Sequence, residues 1–437
     1  MSALELGLVA FPVLLALIFL RAPIGLAMLM VGLGGMTLAT GSSAMVMSKL
    51  KTEVYGIFSN YSLSIVPIFL LMGHLAGLSG MSRALFKAAE AWLSHRKGGV
   101  AMAAVGACAG FGSICGSSLA TAATMAQVAL PELKRAGYAG GLSTATLAAG
   151  GTLGILIPPS VVLVVYATLA EQNIAKLFLA AFVPGILAAI GYMLVIALFV
   201  RLYPESAGQN PRLPYADRFR ALAGVWPVIL IFIAVVGGIY TGIFNPTEGA
   251  SVGALGTGIV AWASGNLGWP QLKGALIATA SGTAMIFLIV LGAAFFNAFL
   301  ALSQVPQTVS AWVTEQGFGP WVVLAIILAI YLILGCVMDS LSMIFLTIPI
   351  FFPVMQSLDF GLPPEEMAIW FGILVLIVVE VGLITPPVGM NLFIINAMDR
   401  ETPLRATYHA VMFFVASDIL RVAVLVLFPS ITLFLLR

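Results

Sequence analysis

The chain has 437 residues, of which 61% are hydrophobic and only 8% are charged, with 19 Lys and Arg against 17 Asp and Glu. A soluble domain carries roughly 25% charged residues, and the mean hydropathy here is +1.11. The composition excludes a soluble enzyme, a nucleic-acid-binding protein and a disordered chain, and it predicts an all-α polytopic membrane protein.

Hydrophobic stretches long enough to cross a bilayer recur along the whole chain, since one crossing needs about 20 mostly apolar residues. Residues 1–20 have no basic segment and no small-residue cleavage site, so we expect a retained first span and not a signal peptide. The predicted spans are 4–20, 24–41, 57–78, 142–170, 177–200, 221–240, 247–265, 275–300, 367–396 and 408–435.

Two further apolar regions, 99–130 and 318–355, are each interrupted in the middle by polar and small residues. If the N-terminus lies outside, most of the Lys and Arg residues fall on the cytoplasmic side, as the positive-inside rule requires. This bias appears only if each region returns to the side from which it enters. Both are therefore predicted to be re-entrant hairpins, the first open to the cytoplasm and the second to the outside.

The two halves of the chain resemble each other in the same order. Gly116-Ser117-Ser118 matches Met338-Asp339-Ser340, and Ile157-Pro158-Pro159 matches Thr385-Pro386-Pro387. By the orientation above, the first copy starts at the cytoplasmic face and the second at the outer face, so the copies are inverted. Inverted repeats with interrupted helices are typical of secondary transporters, which bind substrate and ions near the midplane.

Four segments are predicted to break in the membrane: the two hairpin tips and the two double prolines. Irregular backbone survives in hydrocarbon only where it lines a cavity. Proline has no N–H and cannot continue a helix, so carbonyls near 154–157 and 383–385 are predicted to lose their partners and to become available to a cation. The helix that starts after residue 160 presents its N-terminus to an anion.

These segments offer carbonyl and hydroxyl oxygens and one carboxylate, Asp339. Oxygen ligands suit a hard cation such as Na⁺, or a proton path, and not zinc or copper. The alternative is that the small residues serve helix packing alone and that the prolines only kink their helices. Glu380, just before the fourth segment, either shapes the site or pairs with a neighbouring helix, while Asp418 and Arg421 are predicted to form a structural ion pair.

At these motifs the sequence resembles the large membrane subunit of tripartite ATP-independent periplasmic (TRAP) transporters, over essentially the whole chain. The most specific pieces are GFGSICGSSLATAATM, GTLGILIPPS, NPTEGA, MDSLSMIFLTIPIFFPV and ITPPVGMNLF. The resemblance implies a multi-pass protein of the bacterial inner membrane that works with a small four-span subunit and a soluble periplasmic binding protein. It further implies import of organic acids, such as C4-dicarboxylates or sialic acids, with Na⁺ as the coupling ion.

The resemblance also implies an elevator-type fold, in which a transport domain carries the site past a fixed scaffold. Its predicted parts are scaffold helices in 1–98, the first hairpin and broken helix in 99–175, scaffold and connecting helices in 176–317, the second hairpin and broken helix in 318–400, and a final span in 401–437. The expected cation ligands are Gly116, Ser117, Gly154, Ile157, Asp339, Ser340, Thr385 and Gly389. The expected substrate contacts are Ser117, Ser118, Thr121, Ser160, Ser342 and Asn391.

The sequence thus favours Na⁺-coupled symport of an organic anion by a protein that is not an enzyme. The sequence has no GxxxxGK[ST] motif for ATP. A stand-alone sodium–carboxylate symporter is the first alternative. An intramembrane protease fits poorly because the histidines, His74, His95 and His409, lie outside the broken segments and Asp339 lacks a paired aspartate. A channel would not explain inverted hairpins.

Overall fold

The computed structural model describes residues 1–437, except for the side chain of Thr314, and the described chain consists of helices joined by short loops, without a strand. The first half contains α1 (Ala3–Phe19), α2 (Ile24–Thr40), α3 (Ser43–Phe58), α4 (Ile65–Leu78), α5 (Met81–Leu93), α6 (Gly99–Cys115), α7 (Ser118–Arg135), α8 (Gly140–Leu156), α9 (Val161–Leu169), α10 (Ile174–Leu202) and α11 (Tyr215–Ala223). The second half contains α12 (Trp226–Phe232), α13 (Gly238–Tyr240), α14 (Pro246–Ala263), α15 (Trp269–Ser303), α16 (Val305–Glu315), α17 (Pro320–Gly335), α18 (Ser340–Gln356), α19 (Pro364–Gly382), α20 (Met390–Met398), α21 (Leu404–Leu427) and α22 (Pro429–Leu433). Short 3₁₀ turns cover Tyr61–Ser64 and Pro204–Ser206, and a π-helical turn over Ile233–Gly237 joins α12 to α13.

Several helices are long and apolar enough to cross a membrane. Tyr61–Leu78, α10, α15 and α21 do so individually. Two bent pairs do so together: α8 with α9, bent by 47°, and α11 with Trp226–Tyr240, bent by 46°. Together with the composition, these lengths confirm a polytopic all-α membrane protein.

Both interrupted regions fold as helical hairpins, as predicted. α6 ends at Cys115 and α7 begins at Ser118, and between them Gly116 adopts a left-handed conformation with φ of 64°. Glycine reaches that region without the steric cost that a Cβ imposes. In the second hairpin, α17 ends at Gly335 and α18 begins at Ser340.

Both double prolines interrupt their helices. α8 ends at Leu156, before Pro158 and Pro159, and α9 begins at Val161. The two prolines have no N–H to offer to the carbonyls four residues earlier. α19 likewise ends at Gly382 and α20 begins at Met390, so the prediction of two broken helices is confirmed.

The inverted repeat is visible in how the helices pack. The copies begin at α2 and α14, and α4 corresponds to α15. α2 packs along α15, and the equivalent pair, α14 and α4, packs in the same way. Glycines allow the close approach: a methyl group on Gly32 of α2 would lie 2.6 Å from the backbone of Phe295. If α2, α4, α8–α9, α10 and α11–α13 each cross the membrane once, five crossings separate the two starts, and an odd number inverts the second copy.

One glycine pair recurs in both copies, where the first arm of each hairpin meets the helix that precedes the break. A methyl group on Gly112 would lie 2.5 Å from the Cα of Gly154. In the second copy, a methyl group on Gly382 would lie 2.5 Å from the Cα of Gly335. The equivalent pairs place backbone directly against backbone, so each tip is held at the level of its own break.

The packing of α10 bears on the predicted division into scaffold and transport domain. α10 lies against α21, α8 and α6, and it also contacts α19. Three of these neighbours, α6, α8 and α19, belong to the hairpin and broken-helix segments and α21 is the final span, although 176–317 is predicted to contain scaffold and connecting helices. This packing favours grouping α10 with the transport domain, and the division itself stays a prediction.

Helices α3, α5, α11 and α16 are not among the predicted spans. Their polar faces carry charges such as Lys87 and Asp217, so a search for apolar runs does not find them. α5 and α11 pack together through Trp92, whose ring meets Phe219 edge to face, with centroids 5.5 Å apart. The guanidinium of Arg218 lies 5.8 Å from the centroid of the Trp92 ring.

Candidate functional site

A cavity of about 90 Å³ lies where the four broken segments meet. Helices α7, α9, α18 and α20 all begin at it, and α4 and α15 close it through Leu70 and Ile286. The first-turn residues that line it are Ser118 and Leu119 of α7, Val161 and Val162 of α9, Ser340 and Leu341 of α18, and Met390 of α20. First-turn N–H groups have no partner within their own helix, so the cavity collects unpaired donors from both copies of the repeat.

The electrostatics of the cavity combine helix N-termini with one carboxylate. Each N-terminus carries a partial charge of about +0.5, so four together favour an anion. Asp339 also lines the cavity and accepts hydrogen bonds from the backbone N–H of Ser342, at 3.1 Å, and from the Ser342 hydroxyl. Asp339 therefore caps α18 and also places the negative charge of its carboxylate at the cavity wall.

Two of the other helices that begin at the cavity are capped in the same way. Ser117 Oγ accepts from the N–H of Ala120, and Ser160 Oγ accepts from the N–H of Leu163, both at 3.4 Å. Each cap uses one donor of the first turn and leaves the earlier N–H groups free. The serine side chains fix the helix starts, and the donors that remain point toward the cavity end.

Each tip contacts the break of its own repeat. In the first copy, the backbone at Gly116 lies against the carbonyl of Pro159. In the second copy, the N–H of Gly389 donates to the carbonyl of Cys336 at 3.3 Å. A change in the position of one tip must therefore disturb the neighbouring break.

One prediction about free carbonyls is wrong. The sequence predicts that the carbonyl of Leu383 loses its partner at the second double proline, but it accepts a hydrogen bond of 3.1 Å from the N–H of Asn391. The chain folds back after Gly389, so an N–H from the new helix replaces the one that Pro387 lacks. This carbonyl is not available to a cation in this conformation.

Glu380 is bonded to the tip of the second hairpin and lies near Ser118 of the first. Its Oε1 accepts a hydrogen bond of 2.7 Å from the Ser340 hydroxyl, and the Ser118 hydroxyl faces the same carboxyl group. Ser118 and Ser340 occupy equivalent positions in the two copies, and all three side chains are buried. Of the two interpretations of Glu380 given above, the structure favours the one in which it shapes the site.

The expected site residues fall into two groups. Those that line the cavity are Gly116, Ser117, Ser118, Asp339 and Ser340. Those that are not among its lining residues are Thr121, Gly154, Ile157, Ser160, Ser342, Thr385, Gly389 and Asn391. In the second group, Asn391 Nδ2 donates to the carbonyl of Ala148 at 3.2 Å, which joins α20 to α8. The ligand roles of both groups stay predictions.

Comparison with known proteins identifies the family. The family described as "Tripartite ATP-independent periplasmic transporter, DctM component" matches residues 11–431. The chain belongs to the TRAP transporter large permeases. It is 35% identical over 365 residues to the C4-dicarboxylate TRAP transporter large permease protein DctM of Pseudomonas aeruginosa, covering 83% of each chain.

Further relatives of this TRAP permease agree in length and fold. It is 28% identical over 425 residues to the sialic acid TRAP transporter large permease protein SiaM of Vibrio cholerae, covering 96% of each chain. The crystal structure of the YdaH transporter of Alcanivorax borkumensis, described as having an unusual topology, matches with a TM-score of 0.61 and 16% identity, over 87% of this chain and 89% of that one. The last comparison shows the fold alone.

Behind the cavity, the TRAP permease contains a buried polar network that the sequence revealed only in part. Arg421 and Asp418 form the predicted ion pair, with an N–O distance of 2.8 Å. The Tyr192 hydroxyl donates to the same carboxylate at 2.7 Å and lies 3.0 Å from Thr152 Oγ1. Because Thr152 lies on α8, Tyr192 on α10 and Asp418 on α21, the network links these three helices. Thr152 corresponds to Glu380 in the repeat. Spacing along one helix revealed the ion pair, but no sequence signal pointed to Tyr192.

A second charged cluster joins the two copies at the end of the permease predicted to face the cytoplasm. Lys134 Nζ, at the end of α7, lies 2.7 Å from Asp399 and 2.8 Å from Glu401. Burial raises the pKa of Asp399, but hydrogen bonds from Lys134 and Thr402 outweigh it and hold that pKa below its ordinary value. The end of the first hairpin is thereby fixed to the end of the second broken helix.

Proposed function

We propose that this chain is the membrane pathway of a TRAP transporter that imports an organic acid across the bacterial inner membrane, driven by an ion gradient, with Na⁺ as the coupling ion. The convergence of four helix N-termini and one carboxylate on a single cavity carries the proposal. Helix N-termini favour carboxylates, and tip oxygens with Asp339 suit a hard cation.

The class of substrate follows from this arrangement and from the relatives. The helices α7 and α18 are equivalent in the repeat, and both begin at the cavity. The N–H groups of either helix can therefore bind the carboxylate oxygens of the substrate. Named relatives transport C4-dicarboxylates or sialic acid. We infer a carboxylate substrate of one of these two classes.

The size of the cavity supports a mechanism with movement. Its volume of about 90 Å³ holds about three water molecules at roughly 30 Å³ each, whereas small-molecule pockets measure roughly 300–1,000 Å³. Substrate entry therefore requires the tips to move away from Leu70 and Ile286 on α4 and α15. An elevator-type displacement of the hairpins and broken helices past these two helices would open the cavity alternately to each side.

The family is described as a tripartite transporter of which the DctM protein is one component, which supports two further components as partners. We infer a small membrane subunit and a soluble periplasmic protein that delivers the substrate. A stand-alone sodium–carboxylate symporter is the alternative, and the experiment below distinguishes the two.

The test is uptake of radiolabelled succinate and of radiolabelled N-acetylneuraminate into proteoliposomes. The full chain is reconstituted alone, with its small subunit, and with both the small subunit and the binding protein, under an inward gradient of Na⁺ or of choline. The proposal expects uptake of one probe that needs both Na⁺ and the binding protein. Equal uptake in choline would overturn the sodium coupling, and full uptake by the chain alone would establish the stand-alone symporter.

A further inference from the structure

A second cavity, of about 500 Å³, opens between the start of α6 and the end of α10, away from the transport site. Its wall contains three cationic side chains and a run of apolar ones. The lining residues are Arg96, Lys97, Met102, Ala197, Val200, Arg201 and Pro204.

The three cations in this wall have no carboxylate to balance them. No Asp or Glu lines the cavity, and among the ion pairs of the described residues none includes Arg96, Lys97 or Arg201. Some other cations are paired, since Lys134 contacts Asp399 and Lys176 contacts Glu365 at 2.5 Å. Arg83, Lys87 and Lys273 also have no ion pair among the described residues, but they do not line one cavity together. Three like charges around one cavity repel each other unless an anion lies between them.

The position of the cavity selects the kind of anion. The positive-inside pattern places Arg96, Lys97 and Arg201 at the cytoplasmic surface of the membrane. Just before Arg201, α10 exposes Leu194 and Leu198, which face outward from the packed helices where lipid lies. Charged side chains at the membrane surface therefore lie directly next to an apolar surface of α10.

We propose that this cavity binds the headgroup of an anionic phospholipid from the inner leaflet. Its phosphate lies among Arg96, Lys97 and Arg201, and an acyl chain follows Met102 and Ala197 along α10. Basic pockets between membrane helices on the cytoplasmic side suit such headgroups. Because α6 is the first arm of the first hairpin, the lipid would hold that arm and α10 together.

The experiment measures lipid binding to the full chain in neutral detergent. Phosphatidylglycerol, phosphatidylcholine and inorganic phosphate are titrated separately, and bound lipid is counted by native mass spectrometry while the unfolding temperature is recorded. The proposal expects phosphatidylglycerol alone to remain bound and to raise the unfolding temperature. Equal retention of phosphatidylcholine, or an equal shift with inorganic phosphate, would overturn it.

A triple variant and a matched control locate the site. Arg96→Gln, Lys97→Gln and Arg201→Gln together are expected to weaken retention of phosphatidylglycerol on the order of 10- to 100-fold. The control is Arg83→Gln, Lys87→Gln and Lys273→Gln, which removes three exposed cations outside the cavity and should leave retention unchanged. Equal loss of phosphatidylglycerol retention in the two triple variants would mean a diffuse charge effect and would overturn the site. If the triple variant does not fold, the single variant Arg201→Gln gives the same comparison.

Discussion

The hydroxyl of Ser340 donates a hydrogen bond of 2.7 Å to Oε1 of Glu380, joining the tip of the second hairpin to the helix before the second break. Ser118, the equivalent serine of the first hairpin, faces the same carboxyl group. The inverted repeat brings two serines to one point, and the first copy has Thr152 in place of a second glutamate. The hydrogen bond therefore couples Ser340 to Glu380, and we expect the stability of the second hairpin to depend on both residues.

A double-mutant cycle tests this coupling. Ser340→Ala and Glu380→Leu should each destabilise the protein by about 1–3 kcal/mol, because each leaves a buried polar group without its partner. The double variant should cost less than the sum, with a coupling energy of at least about 0.5 kcal/mol. Unfolding temperatures of the purified chain give the values. Ser340→Ala combined with the remote Thr257→Ala is the control pair, and its effects should add; additive effects in the Ser340–Glu380 pair as well would contradict the coupling.

The glycine contacts between tip and break give a second prediction. Gly112→Ala and Gly382→Ala should each lower stability by about 1–3 kcal/mol through overpacking, since the added methyl group meets the backbone of Gly154 or Gly335. Substrate uptake should fall together with the stability, because both contacts position a hairpin tip. Gly34→Ala is the matched control: it also lies within a helix, but its Cβ would meet nothing within 4 Å. If Gly34→Ala lost stability and uptake to the same degree, the helices would be intolerant of alanine in general, and the prediction about the glycine contacts would be contradicted.

Asp339 permits a substitution that separates its two roles. Asn caps a helix about as well as Asp, so Asp339→Asn should preserve the start of α18 while removing the charge at the cavity. We expect the Na⁺ concentration for half-maximal uptake to rise about tenfold, which corresponds to about 1.4 kcal/mol, with an unfolding temperature close to that of the wild type. Asp339→Ala should lose the cap as well, at a further cost of about 1 kcal/mol. An unchanged sodium response in Asp339→Asn would remove Asp339 from the proposed cation site.

The breaks of this fold were predictable because their cause is local. Pro158, Pro159 and their counterparts lack N–H groups, and a glycine and serines follow directly after α6, so interruption could be inferred from the chain alone. The distribution of Lys and Arg predicts the side to which each hairpin opens, and that orientation stays a prediction. The same local logic failed at Leu383, because the N–H of Asn391 returns to its carbonyl only after the chain has folded back.

The parts that sequence reasoning missed depend on contacts between distant segments. Nothing near Glu380 in the sequence shows that Ser118 faces it, although aligning the repeats places Ser118 opposite Ser340. The partnership of Tyr192 with Asp418 likewise joins helices far apart in the chain. Helix α5 was missed for another reason: its amphipathic pattern is visible in the sequence, but a search for apolar runs passes over it.

The cluster at Lys134 predicts how stability depends on pH. The folded-state pKa of Asp399 lies below its ordinary value of 3.8. Its contribution is therefore present above about pH 4 and is lost as the pH falls through the lower folded-state pKa. Asp399→Asn should cost about 1 kcal/mol near neutral pH, because the buried side chain no longer pairs with Lys134.

The difference in unfolding temperature between wild type and Asp399→Asn should shrink as the pH is lowered from 6 toward 3, since protonation removes the same charge that the substitution removes. Glu401→Gln is the control, because Glu401 is 85% exposed and an exposed ion pair contributes about 0–1 kcal/mol. Its unfolding temperature should stay close to that of the wild type across the range. A difference between wild type and Asp399→Asn that remains constant down to pH 3 would show that the variant acts through packing, and that the charge of Asp399 does not hold the first hairpin to the second broken helix.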